Sequence, residues 1–76
     1  MSKVAVESEV QGNVWKVLVS VGETVSTGQT LMILESMKVE IPVESPAAGS
    51  VHELLVSPED AVDEDQVLVV IEAVIT

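Results

Sequence analysis

A shift of 37 residues lays the second half of this chain on the first without a gap. Gly12-Asn13-Val14-Trp15-Lys16-Val17-Leu18-Val19-Ser20 falls on Gly49-Ser50-Val51-His52-Glu53-Leu54-Leu55-Val56-Ser57. Upstream, Val6-Glu7-Ser8 meets Val43-Glu44-Ser45; downstream, Val25, Gln29, Leu31 and Glu35 meet Val62, Gln66, Leu68 and Glu72. Twelve of the pairs from 2/39 to 38/75 are identical. A valine-rich chain matches some valines by chance, but ungapped glycine, serine, glutamine and glutamate matches mark a repeat. The chain therefore reads as one domain over 1–76 with internal halves 2–38 and 39–75.

Each half reads as short strands between turns, over roughly 3–7, 13–19 and 30–35, then 39–44, 50–56 and 67–73. β-branched runs and the polar stretches at 20–30 and 57–66 leave no continuous helical stripe, so no helix is expected. Three short strands cannot hide their apolar face alone, whereas two copies facing each other can share one core. An elongated array would need at least three copies for stability. The expected fold class is all-β, a flattened barrel or sandwich of two antiparallel sheets with pseudo-two-fold symmetry. Aromatic residues are only 1% of the chain, so that core must come from aliphatic side chains. Val6, Val14, Leu18, Val25, Leu31 and Ile33 are expected inside with their mates Val43, Val51, Leu55, Val62, Leu68 and Val70. Val14-Trp15 and Val17-Leu18-Val19 break strict alternation, so a bulge or a partly covered outer face is allowed there. Gly22 and Gly28 suit turns that need positive φ. The second half carries Glu59 and Asp65 instead, and the 57–60 turn, begun by Pro58, is expected to differ somewhat in shape.

Three lysines oppose thirteen acids, a net charge of -10, and nine of the acids fall in 39–76. Nucleic acid and anionic membrane are disfavoured as partners, and a partner with a basic docking surface is favoured. The absence of cysteine removes disulfides, thiolate nucleophiles and sulfur-ligated metals. The first residues lack a secretory pattern and no apolar run approaches a membrane span, so a cytoplasmic protein, monomeric when isolated, is expected.

The repeat halves meet at Glu35-Ser36-Met37-Lys38-Val39-Glu40. Strands ending near Glu35 and starting near Val39 leave Ser36-Met37-Lys38 for a tight reversal, although Met-Lys is not a favoured turn dipeptide. A turn imposed against local preference suggests a requirement at its tip. A lysine there projects a long stem and a charged amine into solvent. A protruding hairpin offers little desolvation, and Glu35 and Glu40 favour the ammonium, so free-amine catalysis is disfavoured. Conversion of the amine to an amide by another protein fits the position better. Ile75, the mate of Lys38, falls near the end of the chain.

These residues resemble the biotin-acceptor motif of the biotinyl/lipoyl attachment domain family. The resemblance covers almost the whole chain and includes Gly12, the 20–28 turn, Pro46-Ala47-Ala48-Gly49 and Leu68-Val69-Val70-Ile71-Glu72. It implies a flattened barrel of two antiparallel sheets with the modified lysine on a hairpin, and is most like a compact, stand-alone biotin carboxyl carrier domain. By that resemblance Lys38 receives biotin, while Glu35, Met37, Val39 and Glu40 form the context read by a ligase. A biotin protein ligase would attach the group, and biotin carboxylase and carboxyltransferase partners would use it. The domain itself would be a carrier with no catalytic residues. Met37 favours biotin over lipoate, since lipoyl domains usually place Asp before the lysine. Val39 departs from the usual second methionine and is compatible with a lipoyl carrier of a 2-oxo acid dehydrogenase or glycine-cleavage type system.

Other features have plainer readings. Trp15 is expected to cover a core edge, and its mate His52 to lie at the surface or rim. The acidic run from Glu59 to Asp65 lacks the spacing and central glycine of a calcium loop and reads as a solvated face, with no metal site. A small unmodified acidic protein-binding domain that merely retains the fold is the alternative outside the carrier class.

Overall fold

The computed structural model describes residues 2–74 and is an elongated, 39 × 19 × 18 Å arrangement of strands. Among the described residues eight strands form in order: β1 (Ser2–Glu7), β2 (Gly12–Val17), β3 (Thr24–Val25), β4 (Thr30–Ser36), β5 (Val39–Glu44), β6 (Gly49–Leu54), β7 (Ala61–Val62) and β8 (Val67–Ala73). They build two four-stranded sheets with orders β1-β8-β6-β3 and β5-β4-β2-β7, every pairing antiparallel. The sheets do not close into a barrel; of the two expected forms, the sandwich is the one found. The two-residue strands β3 and β7 are too short to show as periodicity.

Replacing each strand by its repeat mate turns one sheet order into the other, which is the pseudo-two-fold symmetry the repeat implies. The halves do not form one sheet each, however. The central pair of one sheet comes from the first half, β2 and β4, while its edge strands β5 and β7 come from the second. The other sheet reverses the arrangement. The two copies thus interlock as well as face each other, and neither retains a complete sheet alone.

The core contains eight of the twelve expected residues: Val6, Val14, Val25, Leu31 and their mates Val43, Val51, Val62 and Leu68. Leu18 and Leu55 are instead 48% and 51% exposed, and Ile33 and Val70 are only partly buried. Four bulges explain the difference. In β2 the register passes from Val14 opposite Leu34 to Lys16 opposite Ile33, which makes Trp15 the extra residue. His52 is extra at the mate position in β6. Side chains alternate with period two, so one extra residue exchanges the faces. Beyond these bulges Val19 and Val56 face inward, leaving Leu18 and Leu55 outside. A second pair of bulges places Leu31 and Leu68 as the extra residues of β4 and β8 against their edge strands. Leu31 and Met32 are consequently both buried, as are Leu68 and Val69, and Leu34 and Ile71 take the inward places expected for Ile33 and Val70.

Four hydrogen-bonded turns repeat one pattern, at 20–23, 26–29, 57–60 and 63–66. In each, the first residue's carbonyl accepts from the fourth residue's N–H at 3.0–3.1 Å. The fourth side chain accepts from the first N–H in return: Glu23 at 3.1 Å, Gln29 at 2.9 Å, Asp60 at 2.8 Å and Gln66 at 3.0 Å. The third residue has positive φ in all four, 91° at Gly22 and 85° at Gly28 but also 75° at Glu59 and 68° at Asp65. The 57–60 turn therefore keeps the form of its mate, contrary to the expected change of shape; the shared hydrogen bonds hold Glu59 in a conformation suited to glycine. The left-handed conformation costs a non-glycine residue about 1–2 kcal/mol, and glycine returns part of that through lost backbone entropy. Glu59→Gly is accordingly expected to stabilise the fold by roughly 0.5–1 kcal/mol in chemical denaturation. Gly22→Glu should destabilise it.

Candidate functional site: the β4–β5 hairpin

The pairing of β4 with β5 runs to Ser36 opposite Val39, leaving Met37 and Lys38 as a two-residue loop. Both have positive φ, 52° and 68°, the type I′ geometry that matches strand twist and usually recruits Asn-Gly. Neither residue is a glycine, asparagine or aspartate, so the turn is held by its flanks. Val43, Leu34 and Met32 anchor those flanks in the core. Ser36 Oγ donates to the Gln11 carbonyl at 2.8 Å, tying the hairpin base to the β1–β2 loop. Gly12 lies against the same base, and a Cβ there would run into the Glu35 carbonyl oxygen. Gly49 has the equivalent relation to Glu72, which explains the identical glycines of the repeat as sites of close backbone approach.

The five residues singled out in the sequence are all exposed and lie together at the hairpin end, with Ser36 alone intervening between Glu35 and Met37. Met37 is 93% exposed, which rules out a partly buried role within this chain. Lys38 projects from the tip, and among the described residues it has no carboxylate within ion-pair distance. Glu35 and Glu40 face each other across the strands one step below the Ser36–Val39 pair, with Asn13 beside Glu35 on the other flank. Like charges set directly opposite are unfavourable to the sheet. The hairpin therefore offers an accessible amine above two carboxylates, with the apolar Met37 and Val39 beside it. Such an arrangement can be gripped and acylated by another protein, but it has no enclosure of its own around the amine. Sequence reasoning missed the Ser36–Gln11 bond, because a serine at a strand end carries no mark of a partner 25 residues away.

At the other end of the molecule, Ser2 pairs with Ala73 where the symmetry would repeat the Ser36–Val39 pair. There β8 and β1 are not joined, so the pseudo-symmetric scaffold closes only one of its two equivalent hairpins. Ile75 lies outside the described residues. His52 sits between Glu53 and Glu72, at 3.7 and 3.6 Å, on the partly exposed outer surface. Among the described residues no group of three or more potential ligands is placed to hold a metal ion, the 59–65 acidic run included.

Fold and site together define a class: a pseudo-symmetric two-sheet sandwich that displays one lysine on the hairpin joining its halves. A family model described as "Biotin-requiring enzyme" matches residues 2–71. The chain belongs to this biotinyl/lipoyl family. It is 51% identical over 37 residues to a biotin/lipoyl attachment protein of Bacillus subtilis, an alignment covering 49% of this chain and 51% of that one. It is 66% identical over 29 residues to a biotin carboxyl carrier protein of Streptococcus mutans, covering 38% and 22%. The alignments thus span about half of one curated relative and about a fifth of the other. The fold superposes on part of the Kluyveromyces lactis urea carboxylase with a TM-score of 0.89 and 30% identity, covering 95% of this chain and 6% of that one. A single-chain, multi-domain long-chain acyl-CoA carboxylase gives 0.89 and 26%, covering 95% and 7%.

Proposed function

We propose that this domain is a biotin carboxyl carrier: biotin is joined to Lys38 Nζ and presented to biotin carboxylase and carboxyltransferase active sites. The observation that carries this reading is the exposed Met37-Lys38 pair, held as a two-residue turn in backbone conformations that neither residue prefers. The names of the carrier relative and the carboxylase neighbours support biotin as the group.

The lysine fits such an attachment because its amine lies clear of the sandwich. Acylation by a biotin protein ligase would remove a proton from the ammonium and form an amide as the group activating biotin's carboxyl departs. Attached biotin supplies a ureido nitrogen that can hold a carboxyl group. The chain contributes position: the hairpin keeps the acylated side chain beyond the sheet ends, and covalent attachment raises the local concentration of the group at each enzyme visited. Glu35, Met37, Val39 and Glu40 provide the surface on which the ligase selects this lysine.

Coexpression with a biotin protein ligase and biotin is expected to add one biotinyl mass, mapped to Lys38 and accompanied by retention on streptavidin. Folded protein left unmodified under those conditions would sink the reading. Val39 and the biotin/lipoyl name of the Bacillus subtilis relative favour a lipoyl carrier as the second reading. That outcome would show the lipoyl mass increment under a lipoate ligase, without streptavidin retention.

A further inference from the structure

Beside the hairpin, on the sheet that contains it, a shallow concavity of about 340 Å³ is lined by Asn13, Val14, Trp15, Glu35 and Glu59. From this geometry we infer that the concavity is a docking site for an arginine side chain of the enzyme that acts on Lys38. This deepens the carrier reading and rests on it for the identity of the visitor.

Three observations converge on a planar cation. The β2 bulge turns Trp15 and Lys16 outward together, so a large ring faces solvent beside the site. Lys16 Nζ already lies 4.3 Å from the centroid of that ring, showing that its face is accessible to a positive group. Glu35 and Glu59, both exposed, line the same hollow, and their negative charge suits a guanidinium, which can stack on an indole while its N–H groups donate to carboxylate oxygens.

Glu59 provides the most specific support. Its backbone N–H donates to the Val14 carbonyl at 2.7 Å, fixing it beside β2, and it occupies the left-handed position held by Gly22 in the mate turn. Asp65 is also left-handed, but aspartate tolerates that conformation and Asp65 does not line the hollow. Glu59 thus adds a negative charge to the lining of the hollow at a backbone cost that glycine would avoid. Lys16 lies on the Trp15 ring without lining the hollow, so its positive charge opposes an arriving arginine from beside the site.

Trp15 is the chain's one tryptophan and can report the binding directly. Its fluorescence should be titrated with a capped Arg-Arg peptide, and with the Lys-Lys peptide for comparison, at low and moderate salt. The expected result is a saturable change, with the arginine peptide bound at least threefold more tightly. Glu59→Gly and Glu35→Gln should each weaken it threefold or more, while Asp65→Gly, which also removes one carboxylate, leaves it within twofold. Lys16→Ala should tighten binding by removing a positive charge from beside the ring, and Lys3→Ala, an equal change of charge on β1, should do so less. A gain on Lys16→Ala cannot arise from misfolding. Absence of a saturable change in the unaltered protein, or equal losses in Glu59→Gly and Asp65→Gly, would overturn the site.

With a biotin protein ligase, Glu59→Gly should raise KM for the domain about tenfold with little change in kcat, although the variant is the more stable protein. An unchanged KM would exclude the ligase as the visitor and overturn the inferred role. If the unaltered chain is never labelled at Lys38, the carrier reading fails, and the peptide titration still decides whether the cation site exists.

Discussion

Lys38→Arg is expected to reduce incorporation of biotin to background while leaving the fold intact. The effect should be complete because the required product is an amide at a primary amine. Arginine retains the positive charge, but its guanidinium stays protonated and is no substitute acceptor under the same conditions. Stability should change by less than about 0.5 kcal/mol, since an exposed side chain away from special contacts carries little of it. Lys38 is exposed and, among the described residues, forms no ion pair, and arginine meets a similar backbone demand at φ 68°. Intact mass, streptavidin retention and thermal unfolding on the same sample separate these claims. Label persisting in Lys38→Arg would move the acceptor to Lys3 or Lys16. Lys3 lies on β1 and Lys16 beside the Trp15 ring, so neither occupies a turn tip. The same substitution blocks lipoylation, so it tests the position, while the mass increment of the unaltered protein tests the chemistry.

The placement of Lys38 was legible because the repeat seam and the failing strand pattern coincide at Ser36-Met37-Lys38. The pseudo-two-fold sandwich was legible for a related reason: two copies that cannot be stable alone have few ways to share a core. Interlocking of the halves was not, since strand order depends on long-range pairing that periodicity does not encode. The inward faces were legible only up to each bulge. Val14 and Val51 were correctly placed because they precede the extra residues Trp15 and His52, and Leu18 and Leu55 were misplaced because they follow them. A bulge is a local choice of backbone that leaves only broken alternation in the sequence, with no indication of where the parity resumes. Glu59 shows a different limit. Local propensity argued for a changed turn, but the return hydrogen bond from Ser57 N–H to Asp60, together with contacts to Val14, preserves the glycine-like conformation. Tertiary contacts overrode residue preference there, and the same override holds Met37 and Lys38 at the tip.

Those bulges carry the largest stability prediction. Leu31→Ala and Leu68→Ala should each cost about 2–5 kcal/mol, the range for truncating a fully buried leucine that leaves a cavity. Total stability for a chain this short is on the order of 4–11 kcal/mol, so either change removes a large fraction of it. Both side chains are 0% exposed, and each residue's carbonyl accepts from the leucine N–H beyond the other bulge of its half, Leu18 at 2.9 Å and Leu55 at 3.0 Å. The pseudo-symmetry makes their environments equivalent, and their costs should agree within about 1 kcal/mol if each cavity relaxes alike. The joined hairpin beside β4 introduces one asymmetry, since β8 and β1 are not connected at the corresponding end; Leu68→Ala should therefore fray its edge pairing sooner, visible as faster amide exchange in β1. Leu18→Ala and Leu55→Ala provide the decisive contrast. They remove the same atoms from side chains about half exposed, and should cost well under half as much in matched urea titrations. If Leu18 proves as costly as Leu31, side-chain parity does not switch at Trp15, and the outward turn of Trp15 and Lys16 beside the hairpin loses its structural basis.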